Sequence, residues 1–136
     1  MAKRPQHHPE GPSQRQLRVA EEVRHALSAV IERGDWPDDS LWDVRITVTE
    51  VRASPDLKHM TAFVSGLGRD LPADRMAALK AQAPWLRQQV ARRVRLKYAP
   101  EIHFQTDTAL DTAMRMDALM RRPEVARDLT QKDEDA

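Results

Sequence analysis

There is no cysteine in the chain. That excludes disulfide scaffolds, thiolate metal sites and cysteine nucleophiles, and it suits a reducing compartment. Long apolar runs are missing too, and none approaches the ~20 residues that a membrane-spanning helix needs. Met1 to Gln14 holds Lys3, Arg4, His7, His8 and three prolines, without the apolar stretch of a secretory signal. A cytoplasmic location and no membrane association are therefore expected. A third absence is local. No acidic residue stands between Arg75 and Pro100, whereas seven bases do: Arg75, Lys80, Arg87, Arg92, Arg93, Arg95 and Lys97. The overall net charge of +1 conceals this, because five acids face only two bases between Glu124 and the end. A single-sign stretch without the i,i+4 acid–base pairs of a solvated helix creates a local field that selects an anionic partner. Arginine outnumbers lysine in it five to two, and the planar guanidinium suits phosphate oxygens.

With 136 residues the chain suits one domain, which buries roughly two-thirds of its unfolded surface without metal or disulfide staples. Residues 1–13 have almost nothing to bury and are expected to be a disordered arm. Residues 14–122 are expected to form the domain, and residues 123–136 a disordered acidic tail. Ser13 is a natural N-cap for a helix carrying Leu17, Ala20, Val23, Leu27, Val30 and Ile31 on one face, with Gly34 at its end. Trp42, Val44, Ile46 and Val48 alternate with polar residues as a half-buried strand does. Val51 and Ala53 fall out of that phase, which predicts a bulge near Thr49–Glu50. Ser54-Pro55-Asp56 reads as a turn into a second, antiparallel strand with Met60, Ala62 and Val64 inward. A short helix with Met76 and Leu79 meets Pro84, where the chain should kink or restart. The next helix is predicted over Trp85–Lys97, burying Leu86, Val90 and Val94. Ile102 and Phe104 mark a third strand. A last helix carries Leu110, Ala113, Met114 and Leu119, capped by Asp107 or Thr108. The class is α+β, a layer of helices on one sheet. The order helix, strand, strand, helix–kink–helix, strand, helix resembles the bacterial, type II form of the KH domain, an RNA-binding architecture.

Several residue groups carry the letters of a site without its context. Gly66-Leu67-Gly68-Arg69 lacks the helix that must follow a dinucleotide-binding loop, so it reads as a strand-ending turn. Ser54, Asp56 and His59 have the composition of a hydrolytic triad, but they share one tight turn and lack an oxyanion loop. His7 and His8 read as incidental neighbours in a loose arm. Met114, Met116 and Met120 read as core filler. Of the tryptophans, only Trp36 is expected to be exposed and able to stack on a base. No catalytic residue, metal site or cofactor is expected. The basic stretch is left as the site: Arg87, Arg92, Arg93, Arg95 and Lys97 as phosphate contacts, with Arg15 and Arg18 as a second patch. A protein-only adaptor, docking this basic helix on an acidic partner, is the alternative.

Four segments together resemble one family in the right order and spacing. They are Gln16-Leu17-Arg18-Val19-Ala20-Glu21-Glu22-Val23, Thr47-Val48-Thr49-Glu50-Val51 with Ser54-Pro55-Asp56-Leu57, Leu86-Arg87 with Pro100-Glu101-Ile102-His103-Phe104 and Asp107, and Leu110 with Met114-Arg115-Met116 and Leu119. The family is ribosome-binding factor A, bacterial factors for assembly of the small ribosomal subunit. The resemblance covers about Gln14 to Arg122. It implies a monomeric KH-like RNA-binding domain that binds the small subunit and its 16S rRNA during late maturation and rRNA processing. It also implies no enzymatic activity and no cofactor, an association with cold adaptation, and work beside assembly GTPases. This chain departs from the family at one place. The family has an Ala-x-Gly kink between the two central helices, and here the position reads Gln82-Ala83-Pro84. Proline preserves the break but removes a glycine's close backbone approach to RNA.

Overall fold

Ser13 decides where the first helix begins. Its hydroxyl accepts the Gln16 N–H at 3.1 Å, and the Gln16 side chain accepts the Ser13 N–H at 2.9 Å. This reciprocal cap satisfies two donors that a helix start leaves orphaned. Helix α1 then runs Gln14–Arg33 and stops at Gly34, whose φ of 70° favours glycine. The computed structural model describes residues 11–120. Apart from residues 11–13, the arm expected over residues 1–13 lies outside them, with His7 and His8. So does the tail expected over residues 123–136.

The remaining elements are β1 (Thr47–Ala53), β2 (His59–Ser65), α2 (Ala73–Ala81), α3 (Ala83–Arg93), β3 (Glu101–Thr106) and α4 (Asp107–Met120). The sheet order is β1-β2-β3, with β1 antiparallel and β3 parallel to β2. A parallel pair needs a long crossover, and α2 and α3 supply it. Buried residues of α1, α2 and α3, among them Val23, Leu27, Leu79, Leu86 and Val90, form one core with Met60, Ala62, Val64, Ile102 and Phe104. The fold is α+β and KH-like, with the expected element order. The β1–β2 register shifts between Val48 and Glu50, so both Val48 and Val51 reach the core. That is the bulge the broken alternation predicts. Gly66 to Arg69 is a strand-ending turn, with the Gly66 N–H donating to the Arg69 carbonyl at 2.8 Å.

Helix α4 adds something the two-layer expectation omits. Alternation along β2 turns Phe63 away from the main core, yet it is buried, as is Leu110 of α4. Arg52, on that same outer face, lies 3.1 Å from Asp117 of α4. Helix α4 therefore covers part of the sheet's second face. Its methionines do not fill a core: Met114, Met116 and Met120 are all about half exposed, because α4 has one packed edge and the rest faces water. The cap also differs from expectation. Thr106 Oγ1 accepts the Ala109 N–H at 3.1 Å, while Asp107 and Thr108 bond instead to Thr49 and Asp70.

The first strand starts at Thr47, not at Trp42. Arg75 donates to the Ser40 carbonyl at 2.8 Å and to Asp43 at 2.7 Å, which pins residues 40–43 in a turn. Leu41 takes the buried position and Trp42 is left 72% exposed. Trp36, expected to be the exposed tryptophan, is instead half-buried against Trp85, ring centroids 5.5 Å apart. Leu17 is half exposed although it lies on the helical repeat of α1; it lines a groove with Val51 and Ala53 of β1.

Candidate nucleic-acid interface

Helix α2 ends where Pro84 requires. A proline removes the N–H that would bond Lys80 and presses its ring on that carbonyl. The chain turns at Gln82 (φ −88°, ψ 2°), and Pro84 falls in the first turn of α3, where the missing N–H costs nothing. Of the three kink residues, Gln82 is buried, Ala83 half-buried and Pro84 exposed. Gln82 donates to Asp38 at 3.1 Å, so its side chain serves the fold rather than a ligand.

Helix α3 is shorter than the sequence suggests. It ends at Arg93, and Val94 is extended (φ −123°, ψ 128°). In an extended segment alternate residues share a side. Val94 is thus buried and Leu96 packs on the core, while Arg93, Arg95 and Lys97 are all exposed. The helix predicted over Trp85–Lys97 is therefore corrected: Arg95 and Lys97 lie beyond it. Arg92 and Arg93 stand in its last turn, where cations also complement the helix dipole.

The structure joins the two basic patches that looked separate. Arg15 of α1 lines one groove with Lys58, Lys97 and Tyr98. Further along α1, Glu22 and His25 line another groove with Arg93 and Arg95. Arg18 is exposed between these two points on the same face of α1. Lys58 and Lys97 both lie over the Tyr98 ring, 5.6 and 5.5 Å from its centroid. Sequence reasoning missed Lys58 and the exposed Tyr98; the turn and the post-helix segment carry them together only in three dimensions.

Ion pairing sorts the arginines. Arg24 bonds Glu21 and holds that carboxyl below its usual range. Arg52 pairs with Glu50 and Asp117, and Arg75 with Asp43. Among the described residues, Arg15, Arg18, Arg92, Arg93, Arg95 and Lys97 form no ion pair. Arg87 stands apart from them. Its guanidinium donates twice to the Ala99 carbonyl, at 3.1 and 2.8 Å, and so closes the loop before β3. The hydrolytic letters do not assemble either. Ser54 donates to Asp56 at 2.6 Å, which with the Lys58 N–H holds the Asp56 carboxyl below its usual range, while the His59 ring faces His103.

Comparison with known proteins agrees with this fold. The family model described as "Ribosome-binding factor A" matches residues 15–120. A ribosome-binding factor A of Methylobacterium radiotolerans is 54% identical over 125 residues, covering 92% of this chain and 88% of its own. That of Paramagnetospirillum magneticum is 51% identical over 118 residues, covering 87% and 83%. The crystal structure of the Thermus thermophilus factor has a TM-score of 0.55 at 24% identity, covering 67% of this chain and 94% of that one. A homology model of the Thermus thermophilus factor, fitted into a cryo-electron-microscopy map of its 30S complex, gives 0.54 at 24%, covering 66% and 92%. With half its residues shared with these relatives over nearly its whole length, the chain belongs to the ribosome-binding factor A family.

Proposed function

We propose that this chain is a cytoplasmic, monomeric assembly factor that binds the small ribosomal subunit during late maturation and rRNA processing. Its binding unit is residues 14–122. The contacts to 16S rRNA are made by Arg92, Arg93, Arg95, Lys97, Arg15 and Arg18, with Lys58 added from the β1–β2 turn. One observation supports this above others: unpaired cations from α1 and from the end of α3 share one surface in a chain of this family. A relative with this fold was fitted into a 30S complex, which supports the choice of partner. Phosphate contacts position a protein without reading sequence, so recognition comes from the folded shape of the subunit. The role needs no turnover, and assembly GTPases act on the same particle. Cold adaptation follows if folded rRNA intermediates are trapped at low temperature.

The test is sedimentation of the protein with small subunits, large subunits and assembled ribosomes over a range of salt. Preferential binding to small subunits is expected. Changing Arg93 and Arg95 to glutamate should weaken it and lower the log–log salt slope by roughly 0.7 to 0.9 for each phosphate no longer neutralised. Equal sedimentation with all three particles, or an unchanged slope in the folded variant, contradicts the proposal.

A further inference from the structure

We propose that His59, Glu101 and His103 form a binding site for a borderline divalent metal ion, of which zinc is the representative. Strands β2 and β3 run parallel in a register that pairs His59 with Glu101 and Thr61 with His103. Alternation then places His59, Glu101 and His103 together on the face turned away from the main core. All three are exposed, and among the described residues they alone bring three histidine or carboxylate ligand atoms within 4.8 Å of one another.

The separations match one small ion. His59 Nδ1 is 3.1 Å from His103 Nε2 and 3.3 Å from Glu101 Oε2, and His103 Nε2 is 3.8 Å from that same oxygen. Zinc bonds nitrogen and oxygen at about 2.0 to 2.2 Å, and a tetrahedron of such bonds has edges of about 3.3 to 3.6 Å. The three observed edges straddle that range. Two imidazoles and one carboxylate are the N/O donors that zinc and its neighbours prefer, while the hard cations calcium and magnesium prefer oxygen alone.

The backbone holds the donors in place. The His59 N–H donates to Ser54 Oγ at 3.0 Å, and the Glu101 N–H donates to the Lys58 carbonyl at 2.8 Å. The adjacent cation is turned aside, since the Lys58 ammonium lies over Tyr98. Two ring nitrogens and a carboxylate oxygen therefore converge on one point of this face. A divalent ion serves all three, with water completing its shell from the open side.

Zinc titrated into the chelator-treated full-length chain tests this, followed by calorimetry and by NMR of the imidazole nitrogens. The expected result is one equivalent bound, with both His59 and His103 ring signals shifted. Changing either histidine to alanine should weaken binding by about tenfold or more, since even outer partners of a metal ligand cost that much. Glu101→Gln should weaken it less. Both histidines are exposed, so these variants should fold. A His7→Ala/His8→Ala variant controls for the N-terminal pair and should keep the binding. Binding lost in the His7→Ala/His8→Ala variant but kept in His59→Ala would overturn the proposal, as would ring signals that ignore zinc.

Discussion

The Gln82 amide donates to Asp38 Oδ2 at 3.1 Å, across 44 residues of chain. Among the described residues Gln82 is the one polar side chain that is buried, and this bond ties the break between α2 and α3 to the loop after α1. Asp38 also accepts from the Ser40 hydroxyl and N–H, which hold its carboxyl below the usual range.

Gln82→Ala should therefore cost about 1 kcal/mol, the worth of one intramolecular hydrogen bond whose acceptor can still reach water. Pro84→Ala alone should leave the break in place, because Gln82 holds it independently. The double variant should fuse α2 and α3 into a straighter helix and reduce small-subunit binding without a change in charge. Urea unfolding and backbone NMR shifts at residues 81–84 check both expectations. A straight helix in Pro84→Ala alone would show that proline, not glutamine, holds the break.

Arg87 and Arg93 should behave oppositely. Arg87→Ala removes two hydrogen bonds to the Ala99 carbonyl and should cost about 1 to 2 kcal/mol of stability, with subunit binding nearly unchanged. Arg93→Ala should cost less than about 0.5 kcal/mol, as exposed substitutions do, and should weaken binding. Denaturation and sedimentation of the two variants side by side distinguish the loop-closing arginine from the one proposed to contact phosphate.

The tryptophans should separate by fluorescence. Trp42 is 72% exposed, so acrylamide should quench it readily and its emission should be red-shifted. Trp36 and Trp85 shield each other. Trp42→Phe should remove most of the quenchable signal and leave the melting temperature nearly unchanged, whereas Trp85→Ala should lower it by several degrees through poorer packing.

Asp56 should show its bonds to Ser54 Oγ and the Lys58 N–H in its titration. Its folded pKa is depressed, so it contributes stability above its unfolded pKa and loses it as pH falls through the folded value. An NMR titration of its carboxyl carbon should give a midpoint below 3.8, the ordinary value. Asp56→Ala should destabilise the β1–β2 turn at pH 7, and its difference from the parent should shrink as pH falls through the folded midpoint.

What the sequence by itself determined are features set by neighbours along the chain. Ser13 and Gln16 lie three apart and cap α1; Gly34 ends it because left-handed backbone favours glycine. Val48 and Val51 cannot share a face unless the strand bulges between them. Pro84 stops α2 wherever the surrounding chain goes. The family was legible because the segments that resemble it, such as Thr47–Val51 with Ser54–Leu57, are contiguous in the chain. What only the tertiary structure decided depends on encounters between distant residues. Trp42 left its strand position because Arg75 holds Ser40 and Asp43. Helix α3 stopped at Arg93 because an extended Val94 and Leu96 both reach the core, which moved Arg95 and Lys97 off the helix. Arg15 met Lys97 through the packing of α1, and His59 met His103 through the parallel register of β2 and β3. Periodicity reports which side of an element is apolar. It does not report which distant residue waits on that side, and the basic surface and the histidine cluster are both made of such encounters.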